Sequence, residues 1–254
     1  MKIFKNILGL VIIFLSIITQ AKGGFVYDGY EHNRFVTAEP SNGATPVNIW
    51  NTDSFNETIS ASFVNINSPH SSKEYRSGAI QNSCLMDDRI IFEGGCSITD
   101  PFYHTNLDLL ELSATSYLKT SFMVDNSCQI SLLGNIEAFA DYGGTSGYSI
   151  FDTYIKLTEE DGSEIFSITM PYFLDSSGGY ACSINTIPTL ALDSGIVYTL
   201  ESIVSMSCTY YGSDIPGYDI GGGGDVYLDF TMEIIPEPAT LILLGFGGFL
   251  IRRR

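Results

Sequence analysis

Basic residues are scarce in this chain of 254: 12 Lys and Arg stand against 29 Asp and Glu, a formal charge of −17. The two ends hold five of the twelve, so residues 22–238 keep seven basic against all 29 acidic residues, a net −22. So few cations exclude nonspecific nucleic-acid binding, which depends on Lys and Arg neutralising phosphates. They also disfavour docking on anionic lipid. Histidine is rare too. His32, His70 and His104 are scattered and no CxxC pair exists, so zinc has no ligand set. Gly-x-Ser-x-Gly is missing, and Gly221–Gly224 lacks the following Lys-Ser/Thr of a phosphate-binding loop. No cofactor is implied.

The remaining polar residues give no catalytic constellation. His104 lies near Asp100 and Asp108, but a solvated histidine accounts for that grouping. The pairs Glu159-Glu160 and Asp87-Asp88 fall in expected turns. A glycosidase needs two carboxyls about 5–10 Å apart across a cleft, and no spacing in the chain supplies this. Asp214, Asp219 and Asp225 offer oxygens of the kind Ca²⁺ takes, but match no calcium loop, so no metal is assigned. Tyr210, Tyr211, Tyr218 and Tyr227 suit either strand-edge packing or stacking on sugar rings.

What is abundant is β-forming. The chain has 15 Tyr and 16 Phe, with many Ser, Thr and Gly. Tyr198, Leu200, Ser202, Val204, Met206 and Cys208 alternate with a largely polar set in which Ile203 is the exception. Val226, Leu228, Phe230, Met232 and Ile234 alternate with Tyr227, Asp229, Thr231 and Glu233. One apolar and one polar face indicate half-buried antiparallel strands. Ile59–Phe63 and Leu118–Val124 repeat the pattern. Ile155–Leu157 and Ile165–Ile168 flank Glu160-Asp161-Gly162, a hairpin signal. Turn clusters fall at Tyr142–Gly144, Asp175–Gly179, Asp193–Gly195 and Gly212–Gly224, and Leu107–Leu112 could form one helical turn. Many short strands with regular turn punctuation predict an all-β fold, an antiparallel β-sandwich of jelly-roll type over residues 22–235.

Both ends carry short apolar segments. Lys2 and Lys5 precede the charge-free stretch Ile7–Ile18 and then Thr19-Gln20-Ala21, the layout of a secretory signal peptide. The expected signal helix therefore occupies residues 1–21, with cleavage after Ala21; Gly23 and Gly24 are alternatives. At the other end, Pro236-Glu237-Pro238 precedes the uncharged run Thr240–Ile251 and then Arg252-Arg253-Arg254. As a helix this run reaches about 20 Å, short of a hydrocarbon core of about 30 Å. It is expected to be a short transmembrane helix and transient tether, with the arginines as a cytoplasmic stop-transfer signal. The two prolines hold the preceding stretch extended, the form a processing enzyme needs.

This tail, residues 236–254, closely resembles the PEP-CTERM sorting signal. The resemblance rests on Pro236-Glu237-Pro238-Ala239-Thr240-Leu241, on Leu243, Leu244, Gly245 and Gly247, and on the terminal arginines. It implies recognition by an exosortase, an integral-membrane cysteine transpeptidase or protease that cuts near the triplet. The protein is then released or re-attached at the cell surface, in bacteria that typically make exopolysaccharide. Asp193–Ile235 resembles the stretch that often precedes such a tail.

In an exported chain disulfides are the default for the five cysteines, and Cys84–Cys96 and Cys182–Cys208 are the expected pairs. The leading expectation is a non-enzymatic structural or adhesive protein of the cell surface or matrix. Its partners would be exosortase, the membrane transiently, and exopolysaccharide. A carbohydrate-binding module is the alternative, and a secreted polysaccharide hydrolase the third reading.

Overall fold

The computed structural model of the protein describes residues 23–27, 30–40, 47–50, 58–65, 75–99, 110–142, 147–170, 178–185, 189–210 and 222–235. They form fourteen strands: β1 (Phe25–Val26), β2 (His32–Pro40), β3 (Val47–Trp50), β4 (Thr58–Asn65), β5 (Tyr75–Leu85), β6 (Arg89–Thr99) and β7 (Leu110–Val124). Then follow β8 (Cys128–Tyr142), β9 (Gly147–Glu159), β10 (Glu164–Thr169), β11 (Gly178–Asn185), β12 (Leu190–Leu192), β13 (Tyr198–Tyr210) and β14 (Gly222–Ile235). The expected signal helix, residues 1–21, and transmembrane helix, residues 239–254, lie outside the described residues.

Two antiparallel sheets pack face to face. The first runs β10-β9-β13-β7-β2-β3, with β1 also on β7. The second runs β11-β8-β14-β6-β5-β4, with β12 also on β8. From β6 onward the pairings nest: the last strand, β14, lies between β6 and β8, and the last but one, β13, between β7 and β9.

Period-two alternation builds the core. Leu200, Val204 and Met206 of β13 and Val226, Leu228 and Phe230 of β14 point between the sheets. Each buried side chain of this size removes enough apolar surface to contribute about 1.5–3 kcal/mol. Phe92 stacks on Phe230 at 5.4 Å, and Phe25, Phe122 and Tyr198 form a second aromatic group near one end. Arg34 of β2 is fully buried, and its Nη1 donates to Ser83 Oγ of β5 at 3.1 Å, linking the two sheets.

The β9–β10 hairpin forms where Asp161-Gly162 predicts it. Glu159 N donates to Ser163 O at 2.9 Å, and Gly162 takes a φ of 86°, a region disfavoured for residues with a Cβ. Other expectations need correcting. Leu110–Leu112 is strand, because Leu112 opens the alternation that continues through Ala114, Ser116 and Leu118. Gly178 and Gly179 pair with Ala140 and Phe139 instead of turning. Gly222–Gly224 is the start of β14, where the missing Cβ of Gly224 makes room for Met206 Cε and Phe139 O, each 2.5 Å from its ideal position.

The expected disulfides are not found, since none of the five cysteines is bridged to another. Register explains the first pair: Cys84 faces Ile91 and Cys96 faces Ala79, an offset of five residues or about 16 Å along the strands. A bridge needs Cα atoms within about 7 Å. Cys182 sits on the edge strand of one sheet and Cys208 on an interior strand of the other. Cys96 instead donates its thiol to Val204 O across the sandwich at 3.1 Å. Burial pushes its pKa far up, and pushes that of Cys128 up to about 11, so neither is a ready thiolate.

Candidate functional site

The strand that leads into the tail is held at its last residues. Ile235 pairs with Gln129, and Ile234 N donates to Asp88 O at 3.0 Å. One residue earlier in the same turn, Asp87 O accepts from Phe25 N at 2.7 Å. Gly24 N donates to the Asp125 carboxylate at 2.7 Å, and Asp125 N returns a bond to Gly24 O at 3.1 Å. The first and last described strands are thus fastened to one short turn, Met86–Asp88, at one end of the sandwich. Pro236 follows Ile235 with no spacer. The strand ends Thr99, Leu110, Tyr142, Tyr210 and Gly222 lie at the opposite end.

Pro236, Glu237, Pro238, Arg252, Arg253 and Arg254 lie outside the described residues, as do His70, His104, Tyr211, Asp214, Tyr218 and Asp219. His32 is described. It bridges Thr120 Oγ1 at 2.7 Å and Tyr27 O at 3.0 Å, a structural role joining the β1–β2 connection to β7. Among the described residues no group of three His, Cys, Asp or Glu side chains is arranged to hold a metal.

Two outward faces carry chemistry. On the first sheet, Tyr117 of β7 and Tyr154 of β9 flank Ile203 of β13. Both hydroxyls donate to Glu201 Oε1, at 3.0 and 3.2 Å, and Phe35 stacks on Tyr117 at 4.8 Å. Burial first, then the Glu201 charge and these bonds, raises both phenols, Tyr154 up to about 12. The unfolded chain, with phenols near the ordinary 10.0, gives up these protons first. Stability is therefore complete below pH 10 and falls as pH rises towards 12. Thermal melts across this window are expected to show a shallower fall for Tyr154→Phe than for the wild type; parallel curves would contradict the coupling.

On the second sheet the outward face is more open. Ile80, Leu133, Phe139 and Tyr227 are 47%, 46%, 50% and 41% exposed. Ile80 and Tyr227 are both register partners of Gly95, which has no side chain to fill the space between them. Beside them lies a depression of about 330 Å³ lined by Gly78, Ser97 and Asp225 among others. Next along the strands, Glu93 stands directly opposite Asp229, and Glu137 opposite Tyr227. Burial raises the Asp229 carboxyl; a hydrogen bond from Asn135 pulls it down, and the smaller effects of the Glu93 and Glu137 charges push it up again. Sequence reasoning singled out Asp225 and Tyr227 but missed Ile80, Phe139 and the carboxylate group. The available signal was large apolar residues out of phase within otherwise alternating strands.

The tail decides the assignment. Residues 235–254 match the family described as PEP-CTERM protein-sorting motif. The chain carries a PEP-CTERM sorting signal. The signal implies export through secretion and sorting at the membrane with exosortase as the processing partner. No curated protein matches the chain. Among solved structures, VP2 of infectious bursal disease virus (D431N mutant, T=1 particles) aligns over 83% of this chain and 65% of its own length, under two thirds. The identity is 12% and the TM-score 0.20. The virus's Gx strain aligns over 89% of this chain and 74% of that one, at 13% identity and a TM-score of 0.20. The enzymatically active domain of bacteriophage CBA120 tailspike protein 4 aligns over 58% and 19%, at 13% identity and 0.19. At such TM-scores none of these likenesses carries an argument about the PEP-CTERM chain.

Proposed function

We propose that this is an exported protein of the cell surface or extracellular matrix, with a signal peptide at residues 1–21, a tail cut by exosortase, and a non-enzymatic structural or adhesive sandwich. The observation that carries the reading is the PEP-CTERM signal joined directly to β14, the central strand held by Asp88. A folded sandwich is thereby delivered to the membrane on a paired strand that leads straight into the tail sequence. The nested strand order supports a jelly roll, an architecture of two facing antiparallel sheets. A non-enzymatic role is supported by the position of Glu93 and Asp229, which stand side by side on an outward sheet face instead of across a cleft.

Protease added to intact native cells is expected to degrade the protein while cytoplasmic markers survive. Full protection until lysis is the opposing result. A carbohydrate-binding role is the second reading, favoured by the exposed Tyr227 beside the depression on the second sheet.

A further inference from the structure

We propose that the depression on the outward face of the second sheet is a subsite for a polysaccharide bearing free amino groups. The inference rests on the surface-protein reading and specifies its ligand class.

The first argument is shape. Register places Ile80, Gly95 and Tyr227 in one line across β5, β6 and β14, and Gly78, Ser97 and Asp225 in the next. The ring of Tyr227 and the Ile80 side chain both reach over Gly95: its ideal Cβ position is 3.2 Å from Tyr227 Cδ2 and 3.4 Å from Ile80 Cγ2. They form an apolar wall along one side of the depression. Gly78 leaves the other line open, because a Cβ there meets only Ala61 O at 3.6 Å. The trough crosses strands from β4 to β14, about 14 Å at strand spacing, the length of two or three sugar rings. Pyranose rings present flat C–H faces to an aromatic wall and hydroxyls to Ser97 and Asp225.

The second argument is charge. Asp225 lies in the trough, Glu137 in the line of Tyr227, and Glu93 and Asp229 in the line beyond it; Arg76 stands in the line on the other side of the trough, so four carboxylates outnumber one cation. Like charges directly opposite, as in Glu93 and Asp229, are unfavourable on a sheet unless a cation relieves them. Polysaccharides carrying uronates or sulfates are repelled. One carrying ammonium groups has its apolar ring faces matched by Tyr227 and Ile80 and its charge matched by the carboxylates. A basic protein satisfies the charge but does not need a glycine-floored trough.

The test is calorimetric titration of the protein recovered from its cells with a glucosamine hexamer, its N-acetylated counterpart, a cellohexaose and oligolysine. Binding of the glucosamine hexamer is expected, weakened at least tenfold by Tyr227→Ala, by Gly78→Val, which fills the trough, and by added salt. Gly78→Val has open space around it, so an unchanged melting temperature separates loss of the site from loss of the fold. No binding of the glucosamine hexamer overturns the proposal. So does equal binding of the acetylated or neutral hexamer, or binding untouched by Gly78→Val. Oligolysine that binds as tightly and ignores Gly78→Val assigns the face to basic proteins instead. Any of these failures leaves tail removal unaffected, so the surface-protein reading stands or falls separately.

Discussion

Alanine in place of Pro236, Glu237 and Pro238 together is expected to leave the tail uncut, with the processed fraction in native cells falling at least tenfold. The two prolines lack an amide donor and fix φ, which opposes helix at and just before the triplet. Alanine is the strongest helix former, and three of them before Ala239 would favour helix from the apolar run back toward Ile235. A processing enzyme then meets helix where it needs open chain, and the Glu237 charge is gone as well. A tenfold loss corresponds to only about 1.4 kcal/mol in the transition state, well within what a misplaced backbone costs. The sandwich is untouched, because the last described contact precedes the triplet at Ile235. Immunoblots should show a single longer species, still protease-accessible at the cell surface. Normal trimming of the triple variant would mean that the triplet is not what the enzyme reads.

The largest stability effect is expected at Gly134. It sits in β8 opposite Phe230 of β14, at the middle of the second sheet. A Cβ at Gly134 collides with Asp229 O, and its ideal position is only 2.7 Å from Phe230 Cα and 2.8 Å from Phe230 Cβ. The obstacles are mostly backbone, which no rotamer change can clear. Two central strands must separate, and the stacked Phe92–Phe230 pair moves with them. Gly134→Ala is therefore expected to cost about 3 kcal/mol or more, close to 10 °C in melting temperature for a domain of this size. Gly78→Val adds more atoms at a more open position and should change the melting temperature little. Equal melting temperatures for wild type and Gly134→Ala would contradict the packing described here.

Strand identity was legible in the residues because alternation is a local property. The inward set Tyr198 to Cys208 and the hairpin at Asp161-Gly162 are where the pattern puts them. Pairing was not legible, because register depends on partners distant in the chain. Cys84 and Cys96 look joinable across a short turn, yet their strands pair five residues out of step. Glycine misleads for a related reason. At Gly222–Gly224 it signals a turn by composition, whereas the fold uses it where β14 passes closely over Ile98, Phe139 and Met206. The outward face of the second sheet was half legible. Tyr227 and Asp225 stand on the polar phase of β14, but only the register brings Glu93, Glu137 and Ile80 beside them.

Export and tail removal underlie the surface-protein role proposed for this chain. The most direct check is the intact mass of the protein recovered from its native cells. The expected mass lacks residues 1–21 and everything beyond the Pro236–Pro238 region, with or without an attached group. A soluble cytoplasmic species whose mass still includes Arg252, Arg253 and Arg254 would contradict it.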